Sequence, residues 1–225
     1  MATLPGARRA AWRPLGALVV ASFVLASCGG DSGYQYFKSQ DNQAYFKVPS
    51  DWTRFNKRDL LVASGQSLSA ATERTFPWLI GFDAAPDPSL DNILSLAAPT
   101  DHPTVYAQQE VLTFGDHDMA SQQLLRNKFY PVDELLDQDV VDLLAYEELV
   151  LPGGFHGLHL VYDVSLSGVD RITSGGAVIR VNQTSVLDAG EERLYLLIVR
   201  CETHCYRDNA KAIDQIVDSW TVKER

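Results

Sequence analysis

Basic residues are in short supply: 19 Lys and Arg stand against 29 Asp and Glu in 225 residues, a net charge of −10. A duplex binder displaces counterions with a basic footprint, so nucleic acid is excluded as a partner. Glycine (15) and proline (10) are not in excess, and 46% hydrophobic with 21% charged residues is a globular balance. Disordered, collagen-like and low-complexity classes fall away. Motifs that announce chemistry through spacing are also missing. There is no Gly-x-Ser-x-Gly turn, no GxGxxG after a strand, no P-loop lysine motif and no HExxH. These absences identify no enzyme class, no catalytic residue, no cofactor and no resident metal. The length is that of one domain, with room for a proper core.

What is present first gives an address. Residues 1–27 hold three arginines (Arg8, Arg9, Arg13) and no acid, followed by an apolar run from Leu15 to Leu25. That run is about eleven residues where a bilayer span takes roughly 20, so it is a signal peptide rather than a transmembrane helix. Its end, Leu25-Ala26-Ser27-Cys28 followed by Gly29-Gly30, resembles the lipobox of bacterial lipoproteins. The resemblance implies that Cys28 is diacylglycerated and becomes the first mature residue. Two acyl chains, at about 0.8 kcal/mol per buried CH₂, anchor a soluble domain stably where one does not. Loss of residues 1–27 leaves 198 residues and takes the charge to −13, since three arginines go and no acid does. An anionic membrane would repel that body, so lipid must do the anchoring. Residues 28–33 are then the lipidated cysteine and a short tether, with 34–225 as the domain. Five residues from Gly29 to Gly33 reach only about 17 Å, which keeps the domain close to the extracytoplasmic face of the cell membrane.

Two cysteines remain, in Cys201-Glu202-Thr203-His204-Cys205. An isolated close pair outside the cytoplasm reads as a Cys201–Cys205 disulfide. It requires a turn, because the Cα atoms must approach within about 4.4–6.8 Å. A metal site using His204 is the sharper alternative, but a structural zinc wants four ligands and only three lie close. A redox pair lacks the C-x-x-C spacing.

Along the chain, Tyr34–Lys38 and Ala44–Val48 read as a hairpin closed by Pro49, and Leu60-Leu61-Val62 as a third strand. Residues 78–82 and 105–114 also read as extended. Residues 116–129 show helical spacing, with Asp116 or Asp118 as cap and Pro131 as the stop. From there to Asp142 the chain is irregular or a short helix. Residues 142–151, 158–166 and 177–187 are strands, the second with a period-2 pattern, and the uniformly apolar Leu194–Val199 is a central strand covered on both faces. Ala210, Ile213, Ile216, Val217 and Trp220 mark one face of a closing amphipathic helix capped by Asp208 or Asn209. Adjacent strands joined by turns make the sheet largely antiparallel, and the whole an α+β sandwich in a single domain.

Two segments carry a further resemblance. Tyr45-Phe46-Lys47-Val48-Pro49-Ser50-Asp51-Trp52 runs a strand into Val-Pro-x-x-Trp, and Ile213 to Val222 is a terminal helix ending Ile216-Val217-Asp218-Ser219-Trp220-Thr221-Val222. Together they resemble the PsbP-like α/β/α sandwich of actinobacterial lipoproteins of the LpqN type, across roughly Tyr34 to Lys223. The resemblance implies an accessory or interaction protein and transfers no functional residue.

The local candidates for chemistry are few. Asp116-His117-Asp118 offers oxygen ligands and an imidazole, but also reads as an acidic helix start. His156 and His159 fall on opposite faces of a strand and share no metal. Glu147-Glu148 and Glu191-Glu192 read as solvated faces. The aromatic N-terminal hairpin (Tyr34, Tyr36, Phe37, Tyr45, Phe46, Trp52) is core or, with one face exposed, a binding surface. The expectation is a non-enzymatic, lipid-anchored envelope protein that binds another envelope protein. The alternatives are a small-molecule or lipid carrier with a pocket between sheet and helix, and a hydrolase with a buried carboxylate or histidine in a cleft.

Overall fold

The computed structural model describes residues 33–98, 100–118, 122–166 and 176–224, all within one compact unit spanning Ser32–Arg225. The chain opens with the expected hairpin, β1 (Tyr34–Lys38) against β2 (Ala44–Pro49), in register from Tyr34↔Pro49 to Lys38↔Tyr45. Its turn is held by the buried Ser39, whose hydroxyl accepts from the amides of Gln43 and Ala44, and by Asn42 in the left-handed region. Alternation along β2 sends Ala44, Phe46 and Val48 inward. Phe46 meets Trp78, Phe82 and Trp220 edge-on at about 6 Å.

A seven-stranded sheet forms the middle layer. It comprises β3 (Thr53–Asn56), β4 (Trp78–Asp83), β5 (Thr104–Val111), β6 (Val141–Val150), β7 (His156–Ser165), β8 (Val178–Leu187) and β9 (Arg193–Glu202). The spatial order is β3-β4-β5-β9-β8-β7-β6, antiparallel throughout. The strand expected to be covered on both faces, β9, is the central one. Its residues Leu194, Leu196 and Ile198 face a cluster formed with α1 (Lys57–Ala63), α3 (Leu90–Leu94), α5 (Gln122–Asn127) and α6 (Val132–Asp137). Its residues Leu197, Val199 and Cys201 face Phe46, Val48, Ile213 and Ile216. The second outer layer is therefore the terminal helix α8 (Ala210–Ser219) together with β1, β2 and β10 (Thr221–Val222). An α+β sandwich with a largely antiparallel sheet is what these residues build. A small second sheet shares one outer layer with the helix.

Three local expectations are corrected. Leu60-Leu61-Val62 is helical, not a strand. Asn56 accepts from the amides of Arg58 and Asp59 while Asp59 accepts from the Asn56 amide, a capping box that starts α1 just ahead of the apolar triplet. Strand β5 stops at Val111. The next helix, α4 (Phe114–Asp118), is started by Thr113, whose hydroxyl accepts from the Asp116 amide while Asp116 accepts from the Thr113 amide. Asp116 is thus the third residue of the helix and not its cap, and residues 119–121 lie outside the described residues. Asn209 stands at the start of α8 but does not cap it. Its side-chain amide donates instead to the carbonyl of Cys205, the third residue of α7 (Thr203–Asp208).

Cys201 on β9 and Cys205 on α7 are joined by a disulfide with Cα atoms 5.9 Å apart, both buried. A loop this short constrains the unfolded chain by about 2 kcal/mol. Replacing both cysteines by alanine is expected to lower the unfolding free energy by that order in urea melts. A loss of half the parent stability would instead make the bridge a support of the whole fold.

Candidate functional site

Alternation along β5 separates two sets of polar side chains. Gln109 faces the small sheet and donates to Asp41 of the hairpin turn at 2.8 Å, where the Tyr195 hydroxyl also donates at 2.6 Å. Tyr106, Gln108 and Glu110 face the other way, toward the helices. They are linked in a row: the Tyr106 hydroxyl donates to Gln108 Oε1 (2.6 Å), and Gln108 Nε2 donates to Glu110 Oε2 (3.0 Å). Lys128, just beyond α5, donates from Nζ to Glu110 Oε1 at 2.7 Å.

This row forms the floor of a cleft of about 640 Å³. Around it stand Leu60 and Leu61 from α1, Phe76 after α2 (Ala70–Thr75), Leu94 from α3, and Phe129, whose ring lies 4.5 Å from that of Tyr106, with the polar Asp91 and Ser95 among them. The residues at the rim are small or polar, among them Ala63 and Ser64 at the end of α1.

Glu110 is only 4% exposed. Burial pushes its carboxyl above the ordinary carboxylate range, and the Lys128 ammonium opposes that rise. Burial first, and then the Glu110 charge, drives the Tyr106 phenol far up, so it stays a neutral donor. The ammonium of Lys128 has three hydrogens and gives one to Glu110, leaving donors that can face a bound molecule. A volume of this size, with apolar side chains meeting converging polar groups and a perturbed carboxyl, marks a candidate ligand site.

A second, more apolar groove of about 520 Å³ runs between β6–β8 and the α8–β10 segment, lined by Leu149, Val186, Val217, Trp220 and Val222. His159 also borders it, held by Asn182 at 3.1 Å.

The candidates raised by the sequence disperse. Cys28 lies outside the described residues, as do the side chains of His117 and Asp118, and the Asp116 carboxylate is taken up by Thr113. His156 approaches Glu191 at 3.4 Å, and His159 approaches Glu147 at 3.7 Å from the other face of β7. Phe37, Phe46 and Trp52 pack in the core, while the Lys47 and Lys223 ammonium groups cover the rings of Tyr34 and Tyr45. Tyr36 is 75% exposed. Sequence reading missed Tyr106, Gln108, Glu110 and Lys128. The available signal was polar residues at every second position of a strand buried on both faces.

No family model matches the chain, and no curated protein matches it in sequence. Among solved structures it is similar to the cyanobacterial PsbP, CyanoP, of Synechocystis, with 13% identity and a TM-score of 0.49 over 88% of this chain and 99% of that one. It is also similar to LpqN of Mycobacterium tuberculosis, a protein involved in cell envelope biogenesis (19% identity, TM-score 0.44, 87% and 88% covered). A third likeness is to the Ran-binding protein Mog1p of Saccharomyces cerevisiae (6%, 0.41, 84% and 95%). Both names attached to the resemblance at residues 45–52 and 213–222 recur here, and the likeness is one of fold alone.

Proposed function

We propose that this chain is a lipid-anchored, non-enzymatic binding protein at the extracytoplasmic face of a bacterial cell membrane. Residues 1–27 are removed and Cys28 is acylated, leaving the domain from residue 34 on its short tether. It holds a small molecule or lipid in the cleft over β5. The observation that carries the reading is the row of buried Tyr106, Gln108 and Glu110 with half-buried Lys128, set beside the apolar side chains of α1 and Phe129, which offers hydrogen bonds at the base of a space large enough for a ligand. Glu110 is the buried carboxylate in a cleft that the hydrolase reading asks for, but both of its oxygens are occupied, Oε1 by Lys128 and Oε2 by Gln108, which favours binding over hydrolysis.

A second reading, an envelope protein partner, has its own observation. Strand β6 is an edge of the large sheet and exposes Leu143, Leu144, Tyr146 and, at 88%, Val150. Edge strands with apolar side chains accept a strand from another chain.

Native mass spectrometry of the protein extracted gently from its own membranes tests both parts. The expected result is a chain beginning at an acylated Cys28 with additional non-covalent mass, and loss of that mass in Ala63→Trp, which fills the mouth of the cleft. A bare lipidated monomer would retire the carrier reading in favour of the β6 edge. A chain without acyl mass would overturn the address.

A further inference from the structure

Away from the cleft, three side chains from distant parts of the sequence meet at the end of β9. Glu202 closes the strand, His204 stands in the first turn of α7, and Asp101 lies in the loop ahead of β5. His204 Nε2 is 3.3 Å from Asp101 Oδ1, and His204 Nδ1 is 3.5 Å from Glu202 Oε2. One donor atom from each of the three residues lies within 4.8 Å of the other two. We propose that Asp101, Glu202 and His204 form a binding site for a divalent transition-metal ion, with zinc the best fit.

The donor chemistry selects the class of ion. Zinc bonds to imidazole nitrogen and carboxylate oxygen are about 2.0–2.2 Å, so ligand atoms around one ion sit roughly 3–3.5 Å apart. The two contacts to His204 run to different ring nitrogens, which point apart, so an ion takes one of them. One ligand atom from each residue lies within 4.8 Å of the others, a separation that the exposed Asp101 and His204 side chains must shorten on binding. Magnesium and calcium prefer all-oxygen shells, whereas an imidazole favours zinc and its neighbours. Two carboxylates beside one imidazole also place two acidic groups together, and a divalent cation balances them.

The scaffold holds the donors in place. The Glu202 amide donates to the Thr100 carbonyl at 3.0 Å, which ties the strand end to the residue before Asp101. The Cys201–Cys205 disulfide brackets Glu202 and His204 in one short loop. Both sulfurs are spent in that bond, so this is an oxygen and nitrogen site and not the thiolate site that the sequence raised as an alternative. The Asp101 and His204 side chains are 68% and 51% exposed, which leaves the remaining coordination positions open to water.

Isothermal titration of the full-length chain with zinc chloride, beside the same titration with magnesium chloride, tests the site. Expected are one zinc per chain, no saturable magnesium binding, and a loss of at least tenfold, roughly, in zinc affinity for Glu202→Gln and for His204→Ala. His204→Ala should leave the metal-free melting curve unshifted, since that side chain is half exposed, and Glu202→Gln keeps the shape of its partly buried side chain. Absence of saturable zinc binding overturns the proposal. So does unchanged affinity in both variants, which would assign the ion to Cys28 or to other histidines.

Discussion

Replacing Gly157 by alanine should cost about 3 kcal/mol of stability, among the larger effects of a single added methyl group, because it forces two backbones apart. Gly157 sits in β7 between β6 and β8, and a Cβ there would meet the Ser185 carbonyl oxygen at 2.2 Å and Val186 Cα at 3.0 Å. Neither atom belongs to a side chain that can swing aside. Strand β8 is itself paired along its length to β9, from Ile179↔Glu202 to Leu187↔Leu194, so retreat would disturb the centre of the sheet. For a chain of this size the melting temperature should fall by about 6–12 °C. Gly115→Ala is the control, since its Cβ would meet nothing closer than Thr113 Oγ1 at 4.0 Å. Thermal melts of the two variants give the answer. If both match the parent, the strands at 157 and 185 are not in the close contact described.

Lys128→Met is expected to destabilise the protein by about 3 kcal/mol at neutral pH and by far less at acid pH. Glu110 is buried, its folded carboxyl is already held above its unfolded value by that burial, and the lysine is the cation that opposes the rise. Without the lysine the folded value climbs further. An acid whose folded value lies above its unfolded one carries no penalty below the unfolded value, where both states are protonated. The penalty grows as pH rises between the two values and is complete above the folded one. The variant should therefore track the parent in acid and separate from it as pH climbs through the carboxylate range and beyond. Adding Glu110→Gln to Lys128→Met should restore most of the loss at neutral pH. Urea titrations at several pH values measure this, and a constant gap between variant and parent would show that Lys128 matters through packing alone.

The elements that were legible in the sequence are those whose pattern is dictated by what covers them. β7 alternates because one face is buried, β9 is apolar throughout because both are, and α8 shows a stripe because one side rests on β2. Helix α1 was misread because three consecutive apolar residues are compatible with a strand, and only the Asn56–Asp59 capping box, four residues upstream of Leu60, decides otherwise. The site was less legible for a different reason. Glu110 and Lys128 are 18 residues apart and Asp101 and Glu202 about a hundred, and nothing local in a sequence marks two polar residues that will share a cleft or face the same point. Arg200 shows the same limit. The apolar run was read as ending at Val199, yet the next residue on the helix-facing side is a buried guanidinium. It donates to the Ser95 carbonyl at 2.6 Å and to those of Asn92 and Leu96, closing the end of α3. A charged residue inside a strand looks like a strand end until the carbonyls it serves are known.

The position of β9 has a consequence for the order of events in folding. Strand β5 pairs only with β4 and β9, and β8 only with β7 and β9, so the strand at the middle of the sheet comes from near the end of the chain. A chain emerging from its N-terminus holds β3-β4-β5 and then β6-β7-β8 as two half-sheets, each with a bare edge awaiting the same ten residues, Arg193–Glu202. Hairpin β1–β2 waits longer still, for Thr221↔Tyr45 and Val222↔Ala44. Native contacts of such long sequence separation make folding slow, on the millisecond-to-second scale of sheet-rich domains. The seven-stranded sheet thus cannot close until nearly all of the chain has emerged.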